Sequence, residues 1–329
     1  MMNMTAHDAL IRLDLLKDRN MPLDTPSKTA SPVYNRAYAD YLSAGTVCNA
    51  LKEGSDAAGG YLVPDEFEHK LIQALEEQNV LRRISSVVNT THDLKIPVAL
   101  GIDNATWVPE GAMIPVTEGQ FGSVTIGAYK LATAVLCSDE LLEDAGFDIE
   151  AYIAEAFSHR LGTAEEEAMI SGDGKAKPLG LLKQVETGTL TEDAGSINAD
   201  DLLDLILSVP AGYRKKGVFL MNDATEGHLR KIKLYHGRSI WEDDMERDVP
   251  TTLLGYPVII CKSMPDVASG NTPILFGDFQ HYLIGDRGHR SIKRLNERYA
   301  DHGQVGFYIS QRMDSRLIDR NAIKSLKVR

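Results

Sequence analysis

Two runs of strand-like alternation flank a stretch of twenty residues, 101–120, that has no periodicity of its own. Before the stretch, Leu94, Ile96 and Val98 fall on one face at the period-2 spacing of a β-strand, and a similar alternation follows it. The stretch itself contains three glycines and two prolines. An irregular segment of that length inside a compact domain is uncommon and is usually functional. We therefore expect a two-stranded arm, and the sequence raises the question of which surface covers it.

Length and composition place the chain among ordinary globular proteins. Its 329 residues, 43% of them hydrophobic and 25% charged, suffice for two or three domains with a substantial core. The net charge of −12 argues against the basic footprint of a dedicated nucleic-acid binder. No apolar run approaches the roughly 20 residues that span a bilayer, and the N-terminus lacks a signal-peptide pattern. The three cysteines are far apart and form no CxxC pair, which favours reduced structural thiols in a cytoplasmic setting.

Residues 1–59 have the composition of an extended arm and not of a domain. Several prolines stand among polar residues, which is typical of a linker. A short helix is predicted around the segment YNRAYADYL, where Tyr34, Tyr38 and Tyr41 share a face and Gly45 offers a stop. We expect this region to be loosely packed.

The strongest helix signal lies at 148–170. Asp148 is a suitable N-cap, Glu150 complements the positive end of the helix dipole, and apolar residues form one continuous stripe. The segment SGDG, residues 171–174, ends the pattern. At 1.5 Å per residue the helix would be roughly 30–35 Å long, which is enough for a structural spine.

The second half of the chain has two kinds of pattern. Helical and strand signals alternate between residues 198 and 297, which predicts a compact α/β layer. Further on, Val305, Phe307 and Ile309 alternate with polar or small residues, which predicts strands that close a sheet.

Motifs for catalysis or phosphate binding fail on inspection. The segment SGDGKAKP, residues 171–178, comes nearest to a phosphate-binding loop. However, Met169 stands where a Walker A motif needs its first glycine, and Ala176 follows Lys175 where serine or threonine is needed. A turn that ends the preceding helix is the better interpretation. We predict no catalytic, cofactor-binding or metal-binding residues and do not expect an enzyme.

Three clusters of charged residues also have structural explanations. His281 and His289 lie near aspartates in the sequence, but surface histidines in loops are favoured over a metal site. The acidic run 165–167 is interpreted as the solvated face of the long helix. Four basic residues are spaced four apart: Arg312, Arg316, Arg320 and Lys324. This spacing would place them on one side of a helix that could bind nucleic acid, but it would equally place them on one face of a strand, and the surrounding alternation favours the strand.

Five segments, taken together in their order and spacing, carry a family resemblance. They are GGYLVPDEF, WVPEGAMIPVTEGQFGSVTIGAYKLATAVLCSDELLEDA, AEEEAMISGDGKAKPLGLL, TLLGYPVIICKSMP and ILFGDFQHYLIGDR. From about Gly59 to Val328 the chain resembles the tailed-bacteriophage major capsid protein family with the Hong Kong 97 fold. The resemblance implies an α+β fold with an N-terminal arm, an extended β-hairpin called the E-loop, a long spine helix, and peripheral and axial domains.

The resemblance also implies how the chain is divided. The N-terminal arm, with a scaffold remnant, would be 1–59, the E-loop 93–135 and the axial domain 198–297. The peripheral domain would comprise 60–92, 136–197 and 298–329, including the spine helix at 148–170. The E-loop would reach over a neighbouring subunit, with contacts from Trp107, Met113, Ile114 and Phe121. The N-terminal arm would also lie across neighbours, with contacts from Tyr34, Tyr38 and Tyr41.

The function that the resemblance implies is self-assembly. Copies of the chain would form pentamers and hexamers of an icosahedral shell that encloses double-stranded DNA of a tailed phage or prophage. Assembly would take place in the cytoplasm of the host bacterium, with scaffold, protease and portal proteins as further partners. No cofactor, no sequence-specific nucleic acid and no membrane is expected. An encapsulin-type nanocompartment shell is the alternative, and an α/β enzyme a distant one.

Two features of the family look altered here. Some members cross-link subunits through an isopeptide bond between an E-loop lysine and a neighbour's asparagine, assisted by a glutamate. Residues 101–120 contain no lysine, and alignment by eye puts Gly303 and Ser310 at the asparagine and glutamate positions. We predict no autocatalytic cross-linking. Residues 1–33 are expected to be either a reduced scaffold or a segment that is trimmed.

Overall fold

The computed structural model describes residues 31–52, 61–99, 107, 113, 121–143, 148–232, 241–242, 252–288 and 290–329. The helices in these ranges are α1 (Pro32–Ala44), α2 (Asn49–Lys52), α3 (Asp65–Gln78), α4 (Val80–Ile84), α5 (Asp139–Glu143), α6 (Ile149–Ser171), α7 (Leu181–Gln184), α8 (Ala199–Ser208), α9 (Ala211–Arg214) and α10 (Asp223–Leu229). The same ranges contain two 3-10 helices, at Phe279–His281 and Ala300–His302.

The strands form two larger sheets and one hairpin. They are β1 (Tyr61–Leu62), β2 (Ser86–Thr90), β3 (Leu94–Ala99), β4 (Phe121–Ile126), β5 (Tyr129–Ser138), β6 (Glu186–Leu190), β7 (Val218–Met221), β8 (Trp241–Glu242), β9 (Thr252–Leu253), β10 (Tyr256–Ile260), β11 (Ile274–Gly277), β12 (Tyr282–Arg287), β13 (Ser291–Leu295), β14 (Gln304–Leu317) and β15 (Ile323–Lys327). No helix in the described part of the chain combines the length and apolar character needed to cross a membrane.

The first sheet is built around the long strand β14. Its order is β1-β13-β14-β12-β2, and β5 pairs with β14 in addition. β14 is antiparallel to β5, β12 and β13, with Phe307 opposite Val135 and Ile309 opposite Ile292. The predicted strand alternation at Phe307 and Ile309 is therefore confirmed, because both side chains are fully buried.

The spine helix α6 packs against this sheet and against α3. Its predicted start is confirmed: the Asp148 side chain accepts a hydrogen bond from Ala151 N at 3.1 Å. Phe157 and Leu161 of α6 are buried in one cluster with apolar residues of α3. The two helices approach closely at Gly162, where a Cβ atom would lie 2.8 Å from Gln78 Cβ.

The second sheet has the order β6-β15-β11-β7-β10-β9-β8. The pairs β7/β10 and β6/β15 are parallel, while β11 is antiparallel to both of its neighbours. Helix α8 packs on β6, β15 and β11. Its apolar inner face, Leu202, Leu205 and Ile206, is buried with Phe219 and Phe276 of the sheet.

Sheet membership does not follow the predicted domain boundaries, which stay a prediction. β12 and β13 lie within the range 198–297 predicted for the axial domain, but they belong to the first sheet, on which the spine helix packs. Conversely, β6 and β15 were assigned to the peripheral domain but belong to the second sheet. The physical reason is that alternation shows which face of a strand is buried, whereas its pairing partners come from distant parts of the chain.

Helix α1 corrects the expectation of a loosely packed arm. Ser31 caps it through a hydrogen bond from Tyr34 N at 3.2 Å, and Gly45 ends it in the left-handed conformation at φ 70°. Leu42 and Leu51 are fully buried in the same cluster as the spine helix. At least the described residues 31–52 therefore belong to the body of the subunit.

Candidate assembly surfaces and a buried ionic cluster

The predicted E-loop arm begins as a two-stranded hairpin. β3 and β4 pair in antiparallel register from Leu94 opposite Ile126 to Ala99 opposite Phe121. Trp107 and Met113, which lie between the two strands, are 101% and 96% exposed. Ile114 lies outside the described residues, and Phe121 is described only as the first residue of β4. The hairpin is confirmed, and its contact with a neighbour stays a prediction.

The base of the arm is fixed to the first sheet. Asp314, itself buried, accepts a hydrogen bond from Gly127 N at 2.8 Å, just after β4. Arg287 of β12 donates to Asp93 at 2.6 Å, just before β3. Ile126 packs closely over the sheet, since a Cβ atom at Gly285 would lie 2.6 Å from its Cγ2. The arm therefore has a held base and carries exposed apolar side chains beyond it.

The tyrosines predicted to contact a neighbour lie in the chain's own core. Tyr34, Tyr38 and Tyr41 are 3%, 0% and 6% exposed. The ring of Tyr38 lies 6.1 Å from that of Phe67, and the Tyr41 hydroxyl accepts from Arg294 N at 2.8 Å. Burial raises the pKa of Tyr34 to about 12. This burial favours a role of the three rings in holding α1 to its own subunit, and their predicted contact with a neighbour stays a prediction.

The acidic run 165–167 is not a solvated face. Glu165 and Glu166 are 1% and 5% exposed, and only Glu167 is at the surface. The helical period explains this, because Glu165 lies four residues after the buried Leu161 and four before the buried Met169. The four-residue spacing from Leu161 to Glu165 and on to Met169 is visible in the sequence and indicates a buried position. The charge of the run nevertheless favoured the interpretation as a solvated face.

Glu165 belongs to a buried ionic cluster, which we define as Glu68, Arg82, Glu165, Asp286, Arg290 and Gln311. Arg82 donates from Nε to Glu165 at 2.6 Å and from its two Nη atoms to Asp286, each at 2.9 Å. Arg290 donates to Asp286 at 3.3 Å, to Gln311 at 2.9 Å and to Glu68 at 3.2 Å. Gln311 in turn donates to Glu165.

The pKa values of Asp286 and Arg82 are shifted by the charged groups around them. Burial by itself would raise the pKa of Asp286, but the charges and hydrogen bonds of Arg82 and Arg290 outweigh it and lower that pKa. Burial would likewise lower the pKa of Arg82, but Glu165 and Asp286 raise it. Arg82 and Asp286 are therefore both charged at neutral pH, and the cluster ties α3, α4, the spine helix and the first sheet together.

Glu166 makes a second link from the spine helix. Its carboxylate accepts from Val80 N at 3.1 Å and from the hydroxyl of Ser263 at 3.0 Å. Ser263 follows β10 of the second sheet. The two buried glutamates thus connect one helix to elements of both sheets.

His281 and the segment SGDGKAKP, which were considered as possible metal and phosphate sites, have structural roles in the fold. His281, expected on a surface loop, is buried, with Nε2 3.8 Å from Asp278 Oδ2, and His289 lies outside the described residues. The described ranges contain no group of three or more potential metal ligands. The segment SGDGKAKP ends the spine helix as predicted and folds back on itself through the hydrogen bond from Gly180 N to Gly172 O at 3.1 Å.

The four basic residues near the C-terminus are not one helical stripe. Arg312 and Arg316 lie on β14, Arg320 lies between strands, and Lys324 lies on β15 of the other sheet. Lys324 donates to Glu186 at 2.7 Å. The preference for strands over a nucleic-acid-binding helix is confirmed.

Comparisons with known proteins match most of the chain. The model described as "Phage capsid family" matches residues 59–328. The probable major capsid protein gp17 of Mycobacterium phage L5 is 27% identical over 248 residues, which are 71% of this chain and 75% of that protein. The major capsid protein of Enterobacteria phage HK97 is 22% identical over 225 residues, 68% of this chain and 58% of that protein. Among solved structures, the capsid of a native GTA particle is 34% identical with a TM-score of 0.67, covering 75% of this chain and 89% of that one.

Proposed function

The chain belongs to the phage capsid family, and from this membership we propose that it is the major capsid protein of a tailed phage or prophage. Copies of the chain associate into a closed shell that encloses double-stranded DNA. The family model and the curated relatives favour this function over an encapsulin-type compartment or an α/β enzyme. The proposal places the assembled protein in the virion and its assembly in the bacterial cytoplasm, with scaffold, protease and portal proteins as accessory partners.

The observation that carries the proposal is the E-loop arm. Trp107 and Met113 expose almost all of their apolar surface, while Gly127 and Asp93 hold the base of the arm to the first sheet. A large exposed apolar group on a fixed support costs free energy in water unless another surface covers it. A neighbouring subunit supplies that surface, so that burial of the arm drives association.

The geometry of the shell follows from the type of contact. An arm of one subunit that covers a different surface of the next makes a head-to-tail interface, and such interfaces generate rings when the rotation closes. Pentamers and hexamers are the rings that we propose. Many modest contacts of this kind reinforce each other once each subunit is held by several neighbours.

The shell contains the genome without reading its sequence. A chain with a net charge of −12 does not release counterions from DNA as a basic binding protein does. The nucleic acid is therefore cargo, and binding energy comes from contacts between copies of the chain.

Expression of the full chain alone, followed by negative-stain microscopy and light scattering, tests the proposal. Closed shells or rings of five or six subunits are expected. A folded chain that stays monomeric over the whole accessible concentration range contradicts it.

A pair of matched variants tests the role of the arm. Met113→Ala removes a side chain that is 96% exposed on the arm, and Leu136→Ala removes a side chain of similar size that is 43% exposed on β5. We expect Met113→Ala to raise the concentration needed for assembly and Leu136→Ala to leave it close to that of the wild type. Equal effects of the two variants would show that the arm contributes no more to assembly than another exposed side chain does.

A further inference from the structure

Helix α8 exposes an apolar strip that its own subunit leaves uncovered. Leu203 and Leu207 are 41% and 65% exposed, although the inner face of the helix is already buried on the second sheet. They lie four residues apart and therefore share one face. Asp200 and Asp204, also four apart and exposed, lie beside them. We name this surface of two leucines and two aspartates the acidic leucine face.

A basic pocket lies on the same sheet, where the parallel strands β7 and β10 begin. It has a volume of about 460 Å³ and is lined by Arg214, Lys215, Lys216, Tyr256 and Pro257, among others. Three consecutive cationic side chains are notable in a chain whose net charge is −12. Lys215 and Lys216 are exposed, and Arg214 is half-buried. The pocket therefore presents positive charge to the surface.

We propose that the acidic leucine face of one subunit docks on the basic pocket of the next copy. This inference rests on the proposed function and names one of its subunit contacts. The carboxylates of Asp200 and Asp204 pair with the exposed ammonium groups of Lys215 and Lys216. The leucines cover the apolar lining that Tyr256 and Pro257 contribute.

Each of the two surfaces is complementary in charge to the other, but not to a second copy of itself. Pairing two acidic leucine faces would bring four aspartates together, and pairing two basic pockets would bring six cations together. Like charges placed opposite each other disfavour an interface. The contact is therefore head-to-tail, which is the type that builds rings.

The two surfaces involve different strands of the second sheet. α8 packs over β6, β15 and β11, whereas the basic pocket opens where β7 and β10 begin, with a lining that starts at Ala211, three residues after α8 ends. We propose that one subunit offers its helix to one neighbour and its pocket to another. Because the charged part of the contact is at the surface, we expect salt to weaken it.

Charge reversal tests the contact in the full-length chain. Asp204→Lys and Lys215→Glu each place like charges opposite each other, and the double variant restores opposite charges with the sides exchanged. We expect each single variant to raise the concentration for half-maximal assembly by on the order of tenfold or more, and the double variant to recover most of the loss. Asp301→Lys, at a side chain that is 75% exposed beside the first sheet, makes the same change of net charge as Asp204→Lys and serves as the control for it.

A disulfide trap gives a second measurement. Chains with Leu207→Cys are mixed with chains carrying Lys215→Cys, both in a Cys48→Ser background, because Cys48 is the exposed native thiol and Cys137 and Cys261 are buried. We expect a cross-linked dimer under mild oxidation only when both kinds of chain are present. Replacement of Lys215→Cys by Asp301→Cys in the mixture is expected to abolish the dimer.

The outcomes separate this inference from the proposed function. If the wild type assembles but the single reversals behave like the control, or the double variant recovers nothing, the docking contact is wrong and the capsid function stands. Absence of the disulfide dimer from assembled particles has the same meaning. A wild-type chain that never assembles overturns both.

Discussion

Arg82 Nε lies 2.6 Å from the carboxylate of Glu165, and the two side chains are only 4% and 0% exposed. The residues are 83 positions apart, one on the short helix α4 and the other on the spine helix. A buried pair of this kind is costly to desolvate and is held by its geometry and by further hydrogen bonds. Removal of Arg82 would take away the cation that pairs with Glu165, whereas removal of Glu165 leaves Arg82 paired with Asp286.

Glu165→Gln should destabilise the folded subunit by about 1–3 kcal/mol, because Arg82 and Gln311 lose a charged acceptor while Arg82 stays paired with Asp286. The measurement is the free energy of unfolding from denaturant titration of the dissociated chain. Asp93→Asn is the matched control: Asp93 pairs with Arg287 but is 61% exposed, so the expected loss is below about 1 kcal/mol. Similar losses for the two variants would show that the cluster contributes no more than a surface pair.

Asp286 should make stability fall in acid. Its pKa in the folded protein is lower than in the unfolded chain, because the charges and hydrogen bonds of Arg82 and Arg290 outweigh the opposing effect of burial. A group of this kind stabilises the fold fully above its unfolded pKa of about 3.9, and the contribution is lost as the pH falls through its lower folded pKa. Unfolding free energies measured between neutral pH and pH ~2 should therefore decline below about pH 4.

The variant Asp286→Asn identifies the source of that decline. It should be less stable at neutral pH, and its stability should depend less steeply on pH below about pH 4 than that of the wild type. An acid slope unchanged in the variant would assign the effect to other carboxylates.

Leu42→Ala tests whether α1 belongs to the core. Leu42 is fully buried in the cluster that contains the spine helix, so its truncation should cost about 2–5 kcal/mol. Leu190→Ala makes the same chemical change at a side chain that is 48% exposed and should cost much less. If Leu42→Ala were as mild as Leu190→Ala, α1 would not be an integral part of the dissociated subunit.

Gly172→Ala should prevent the turn after the spine helix from forming. A Cβ atom at Gly172 would overlap the backbone carbonyl groups of Pro178 and Ala168, which cannot move independently. We expect loss of folding, or a large drop in melting temperature measured by circular dichroism. Gly212→Ala, where a Cβ atom meets nothing within 4 Å, is the control and should be neutral or stabilising by up to about 1 kcal/mol.

Assembled shells should contain no covalent ladder. Residues 101–120 carry no lysine, and Lys130, at the base of the arm, lies over the Tyr308 ring of its own chain with Nζ 5.9 Å from the ring centroid. Boiled, reduced particles should therefore run as a single monomer band on a denaturing gel. Dimer and higher bands that survive boiling would contradict the prediction.

Local periodicity was a good guide to single elements. The N-cap at Asp148 and the apolar stripe after it located the spine helix, and the alternation on both sides of residues 101–120 located the hairpin. Signals of this kind depend on residues a few positions apart, so they can be interpreted without knowledge of the rest of the fold. Exposed Trp107 and Met113 were likewise recognisable, because the sequence around them has no periodic partners.

The order of residues along the chain by itself determined the arm, the spine helix and the absence of familiar catalytic motifs, together with the family resemblance. Only the tertiary structure decided that Glu165 and Glu166 are buried, that Tyr38 fills the core, and that β12 and β13 share a sheet with β14. The reason is that a charge is stable in the interior only beside particular partners, and Arg82 and Gln311 donate to Glu165 from 83 and 146 positions away along the chain. The sequence shows which residues need a partner, whereas the three-dimensional fold selects it.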